Sequence, residues 1–206
     1  MNFIGLIKHG FGLDQRPEPI KRLMKPVEEK MRLFAILLSM LFGLAACTGK
    51  PSMDDPKLSD RVLKIEEFFD GRVLATGQFQ DTFGTVRRRF DVDIKGTWDG
   101  ETLTLVEDFD YADGSTEQRI WRMTKTGPDT WSGTADGVLG QAKGVASGDA
   151  FNWVYSIDLP VPDGTLRVNF NDWLWQVSDT RVYNRAYMKK YGVDIGEVQI
   201  TFDKVR

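Results

Sequence analysis

The chain of 206 residues holds a single cysteine, Cys47, and a single histidine, His9. One cysteine excludes an intrachain disulfide and any cysteine-built metal site. Because His9 precedes Cys47, a chain maturing at that cysteine has no histidine at all. That removes Ser-His-Asp and Cys-His catalysis, histidine-ligated zinc and the side chain most used for proton transfer near neutral pH. No P-loop, no G-x-G-x-x-G and no G-x-S-x-G is present, so no cofactor is expected. A basic field is also missing. Residues 47–206 carry 20 Lys and Arg against 26 Asp and Glu, which argues against a nucleic-acid partner. The run Leu33 to Ala46 has 14 residues with no charge and falls short of the ~20 apolar residues a spanning helix needs.

That run still carries information. Arg32 precedes it and the small residues Ala45 and Ala46 end it, the charged, apolar and small-residue order of a secretory signal. Its end, Leu44-Ala45-Ala46-Cys47, resembles a lipobox, at which lipoprotein signal peptidase cuts between Ala46 and Cys47. The resemblance implies acyl chains, palmitate among them, on Cys47. Two or three chains, at ~0.8 kcal/mol per buried CH₂, anchor a domain durably where one does not. The expected product is a membrane lipoprotein of the bacterial envelope, facing the periplasm. Thr48 after the cysteine favours the outer membrane over the inner. The organisation then reads as 1–30, an over-early start codon or a disordered extension; 31–46, the signal peptide; 47–60, a tether with Pro51 and Pro56; and 61–206, the working domain.

With 41% hydrophobic and 28% charged residues the composition is that of a globular protein. From about Val62 the pattern becomes alternation. Phe90, Val92 and Ile94 share one parity against Arg89, Asp91, Asp93 and Lys95, a half-buried strand. Phe151, Trp153, Tyr155, Ile157 and Leu159 repeat it, as do Val198, Ile200 and Phe202. Asp99-Gly100, Asp113-Gly114, Gly148-Asp149 and Asp163-Gly164 supply hairpin turns. Strands are predicted at 72–80, 86–98, 102–110, 116–125, 130–136, 141–147, 150–159, 164–177, 181–190 and 197–203. The predicted fold is all-β, an antiparallel meander closing into a lipocalin-like barrel, with residues 62–69 plugging one end. A membrane-spanning barrel is disfavoured by the lipobox, the frequent charges on the second face and the lack of aromatic girdles.

The densest aromatic and polar cluster runs from Asn169 to Tyr191. Trp173 and Trp175 should stand opposite Arg181, Tyr183 and Arg185, within stacking and cation-π reach. As a ligand site these five would form aromatic walls with arginines meeting a carboxylate or phosphate. As structure they would be a barrel seam with arginine stems over indole rings. The run from Asp108 to Gly114 fails as a calcium loop, since Ala112 holds its fifth position and Arg119 its twelfth. Within Glu66-Glu67 and Glu107-Asp108 the neighbours face opposite sides of a strand, so neither pair converges as an acid and base. Among Arg87-Arg88-Arg89 one arginine should point inward and be satisfied by a carboxylate. Gly96-Thr97-Trp98 matches the G-x-W of lipocalins but sits in the second strand.

Phe68-Phe69-Asp70-Gly71 with Gly77, Phe90-Asp91-Val92, Gly96-Thr97-Trp98 and the stretch from Asn171-Asp172-Trp173-Leu174 through Asn184-Arg185 to Gly192 resemble the uncharacterised domain family 3833 of proteobacterial lipoproteins. The resemblance covers nearly all of residues 60–206 and implies no catalytic residue. Genes of the family often sit beside those of lipid-modifying enzymes, which tilts the expectation toward a lipid-related role. The leading reading is a membrane-anchored lipoprotein binding a lipid or other apolar small molecule in its barrel. The alternative is a structural or partner-binding lipoprotein with a packed core and no ligand. An enzyme ranks last, because no convergent catalytic set is visible.

Overall fold

The structure is a computed structural model in which residues 30–34, 49–57, 59–161 and 164–206 are described. The chain divides into two units, residues 1–50 and 51–206. Ala46, Cys47 and most of the predicted signal lie outside the described residues, as does Asp163. In the second unit Ser52 to Asp55 form a turn, with the Asp55 amide donating to the Ser52 carbonyl at 3.1 Å, and a short helix precedes the first strand.

That helix, α1 (Ile65–Phe68), is followed by ten strands: β1 (Gly71–Asp81), β2 (Val86–Trp98), β3 (Thr102–Tyr111), β4 (Thr116–Lys125), β5 (Thr130–Thr134), β6 (Ala142–Ser147), β7 (Ala150–Val161), β8 (Gly164–Gln176), β9 (Arg181–Lys190) and β10 (Val193–Lys204). Each strand pairs antiparallel with the next and β10 pairs with β1, so the sheet closes without an edge. The fold is thus the predicted all-β meander barrel. Nine of the ten strands lie close to their predicted bounds. The exception is β10, which starts four residues early. Tyr191 and Gly192 both adopt positive φ, 50° and 80°, and turn the chain at once. A bulge at Asp194/Gly196 then resets the register.

Alternation decides which residues enter the lumen. Val73 and Ala75, Val92 and Ile94, Leu103 and Leu105, Trp121 and Met123, Phe151 and Trp153, and Val182 and Ala186 all point inward and are buried. One end of the barrel is plugged. Leu63, Ile65, Phe68 and Phe69 are buried there, and Phe69 meets Phe202 edge to face with ring centroids 5.3 Å apart. Lys204 Nζ donates to the carbonyls of Glu67 (2.5 Å) and Asp70 (3.0 Å), satisfying acceptors that the short helix leaves open. Lys125 Nζ reaches Glu66 at 2.5 Å. Gly96 lets this plug close. A Cβ there would lie 1.7 Å from the Phe69 carbonyl oxygen, so no other residue fits without moving the backbone. Trp98, two residues on, packs against Trp131 with ring centroids 5.7 Å apart, which gives the G-x-W match a structural purpose at the plugged end.

Two strands are short. β5 and β6 have 5 and 6 residues against 10 to 13 in the others. The β5–β6 loop runs beside the upper half of β7 instead, through a single bridge between Val138 and Ile157.

Candidate ligand cavity

Above the plug the lumen is not filled. A cavity of about 400 Å³ lies among inward residues of the barrel wall, with Ile65 and Phe69 at its floor. Its size falls within the ~300–1,000 Å³ common for small-molecule sites. The lining is mostly apolar: Phe90, Val92, Leu105, Phe109, Ile200 and Met188 represent the wall. An apolar lumen lined by aromatics favours an apolar guest, because each buried Å² of apolar surface contributes roughly 25 cal/mol.

A polar group interrupts this lining, carried on β3, β4, β7 and β8. Glu107 of β3 stands directly across from Arg119 of β4 in the strand register, and both face the cavity. Arg119 Nη2 donates to Glu117 Oε1 at 2.6 Å, and the Tyr111 hydroxyl donates to the other Glu117 oxygen at 2.8 Å. Tyr155 stacks on Phe170 (5.1 Å, 12°) and meets Trp121 edge to face at 5.0 Å. Held between these rings, its hydroxyl donates to Asp172 Oδ2 at 3.4 Å. Asp172 Oδ1 is buried and has no partner among the described residues.

Desolvation governs the electrostatics here. Burial lifts the Glu107 carboxyl to about 7, offset in part by Arg119. Burial likewise lifts Asp172 to about 8, against the pull of the Tyr155 hydroxyl and Arg119. Tyr111 is pushed up to about 12 by burial and by its bond to Glu117. Tyr155 rises well above the usual phenol value, first through burial and then through the nearby Asp172 charge. Nearer the rim, Arg88 stacks 3.3 Å above the Tyr111 ring, donates to Ser115 Oγ at 2.8 Å and lies 3.6 Å from Asp113. Arg88 is therefore the one of the three arginines that lines the cavity, met by a carboxylate as expected.

The five residues predicted as a ligand site occupy the other face. In β8 and β9 the cavity takes Phe170, Asp172, Leu174, Asn184, Ala186 and Met188, so Trp173, Trp175, Arg181, Tyr183 and Arg185, of opposite parity, stand outside. The predicted pairing itself is present. Trp173 lies across from Arg185 and Trp175 across from Tyr183. Trp173, Trp175 and Tyr183 stack in a ladder with centroids 6.0 and 6.2 Å apart. The arginines, however, do not lie over the indoles. Arg181 binds Asp203 at 2.7 and 3.2 Å, and Arg185 binds Glu197 at 2.7 and 2.8 Å while sitting 5.1 Å over Tyr187. Glu107 and Asp108 do split to opposite faces, Glu107 inward and Asp108 out toward Lys95 at 3.7 Å. Among the described residues no group of three or more His, Cys, Asp or Glu side chains is placed to hold a metal ion.

Residues 41–204 match the family model described as a protein of unknown function, DUF3833. The chain belongs to that family. Among curated proteins no match is found. Among solved structures, the S-type phycobiliprotein lyase CPES from Guillardia theta superposes with a TM-score of 0.52 at 10% identity, covering 70% of this chain and 94% of that one. At that identity the likeness concerns the barrel alone. A redesigned β-barrel, b11L5F_LGL, aligns with a TM-score of 0.40 at 12% identity, covering 71% of this chain and 99% of its own. The protein EF1p2_mFAP2b, solved with DFHBI bound, aligns at 0.38 and 13% identity, covering 68% and 95%.

Proposed function

We propose that this DUF3833 protein is a lipid-anchored binding protein of the bacterial envelope whose barrel encloses a lipid or other apolar small molecule. The observation that carries the reading is the unfilled lumen: about 400 Å³ lined by aromatic and aliphatic side chains in a barrel otherwise packed at its plugged end. A barrel with a purely structural core would fill that space, since interiors normally pack to the density of organic crystals. Acyl chains on Cys47 would hold the domain on a membrane facing the periplasm, on the outer membrane by the identity of Thr48.

The two halves of this reading are tested separately. For the anchor, cells are labelled with radioactive palmitate. Label on the wild-type protein, lost in Cys47→Ser, is the expected result, and an unlabelled wild type overturns the anchor. For the cavity, N-phenyl-1-naphthylamine, a neutral apolar fluorophore, is titrated into the full chain carrying Cys47→Ser. Saturable fluorescence enhancement at one site per chain is expected. Its absence, with the barrel folded by circular dichroism, overturns the cavity.

A further inference from the structure

Among the described residues the two cations that line the cavity, Arg88 and Arg119, are both engaged, and the open acceptor belongs to a carboxyl. Arg119 is bonded to Glu117 and faces Glu107 across the β3–β4 ladder, so two carboxyls share its charge before any guest arrives. Arg88 is held by Ser115, Asp113 and the Tyr111 ring. Against them stand three cavity-lining carboxyls, Glu107, Glu117 and Asp172, with Asn184 as the neutral polar side chain on β9. Glu117 is saturated by Arg119 and Tyr111. Asp172 is not: Tyr155 reaches Oδ2, and Oδ1 is a buried acceptor with nothing to accept from among the described residues. Leaving such a group unsatisfied costs on the order of 1–3 kcal/mol, more when charged, and a donor supplied by a guest removes that penalty.

We propose, building on the cavity reading above, that the enclosed molecule presents a hydrogen-bond donor without negative charge to Asp172 and Glu107, and that the best such donor is an amine. An anionic head group, by contrast, would enter a site with three carboxyls and, among the described residues, no uncommitted cation. An ammonium draws the protons off Asp172 and Glu107 and pairs with the resulting carboxylates, a gain that no anionic head group has, so the polar end discriminates by charge while remaining tolerant of the apolar body. The aromatic clamp on Tyr155, between Trp121 and Phe170, serves this arrangement by fixing which Asp172 oxygen is left without a partner among the described residues.

The test uses three probes of equal chain length, dodecylamine, dodecanol and dodecanoate, displacing N-phenyl-1-naphthylamine from the full Cys47→Ser chain. The amine should displace it at a concentration at least tenfold lower than dodecanoate does, with dodecanol between them. Asp172→Asn and Glu107→Gln together should erase the amine's advantage over dodecanol, each displacement being read against the fluorophore affinity titrated directly on the same variant. Dodecanoate displacing as well as the amine, or an amine preference that survives the double substitution, overturns the charge selectivity and leaves the cavity reading standing. If the fluorophore binds and none of the three displaces it, the proposed donor site is wrong. If the fluorophore does not bind at all, both readings fall.

Discussion

The Tyr155 hydroxyl donates to Asp172 Oδ2 at 3.4 Å across the β7–β8 pair, and the second carboxyl oxygen of Asp172 is buried with no partner among the described residues. An unsatisfied buried carboxyl inside an apolar barrel lowers stability, so the residue at 172 is not what folding alone would select. Replacement by an apolar side chain of similar size should relieve that penalty. Asp172→Leu combined with Tyr155→Phe, so that no hydroxyl is orphaned, is expected to raise stability by about 1–3 kcal/mol in urea unfolding. A loss of similar size would mean that the carboxyl supports the barrel, not the guest.

The two lifted carboxyls make stability depend on pH with a definite sign. Glu107 stands at about 7 against an ordinary 4.5, and Asp172 at about 8 against 3.8, so the folded chain holds protons that the unfolded chain releases. Their contribution is fully present below pH 4 and is lost as pH rises through 7 and 8. Over that window the ligand-free barrel should lose roughly 2–4 kcal/mol from these groups. Urea midpoints at pH 5 and pH 8.5 measure the slope, and Glu107→Gln with Asp172→Asn should flatten it.

Gly96 is the tightest point of the plug. Because an added Cβ would lie 1.7 Å from the Phe69 carbonyl oxygen, Gly96→Ala must displace α1 and the chain after it. A cost of about 2–4 kcal/mol is expected, of the order of core overpacking or worse. The effect should appear both in the urea midpoint and in faster amide exchange of Phe68 and Phe69. Gly49→Ala, where a Cβ meets nothing within 4 Å, is the matched control.

Inner and outer faces should separate by assay. Ala186 is buried on the cavity wall, and Ala186→Phe places a ring in the lumen. Fluorophore binding should fall at least tenfold with little loss of stability, since the space is already there. Trp175→Ala removes the middle of the outer ladder, between Trp173 and Tyr183. It should cost about 1–2 kcal/mol of stability, as lost aromatic stacking and area, and leave fluorophore affinity unchanged. An affinity loss in Trp175→Ala with none in Ala186→Phe would move the ligand site to the outer face.

These faces also show what could be read from the chain and what could not. Alternation and glycine turns place nine strands closely, because a half-buried strand writes its two faces into every second residue. β10 escapes because Tyr191-Gly192 is not a familiar hairpin pair and the bulge at Asp194/Gly196 breaks the alternation. The polar cluster was legible in principle: Glu107 shares parity with Leu105 and Phe109, Arg119 with Trp121, and Asp172 with Phe170 and Leu174. It is obscured because hydrophobicity draws attention to Trp173 and Trp175, whose parity sends them outward. That the lumen holds a void is not written in any local pattern. It depends on how ten strands and one short plug fill a common interior.

The central claim is that the lumen carries an apolar guest, and native mass spectrometry addresses it most directly. The full protein is extracted gently from its own host and compared with Ala186→Phe prepared in parallel. A discrete adduct of small-molecule mass, present on the wild type and absent from the variant, is the predicted result. Repeated spectra showing the wild type at the mass of the acylated chain alone, with no adduct released by solvent extraction, would contradict it.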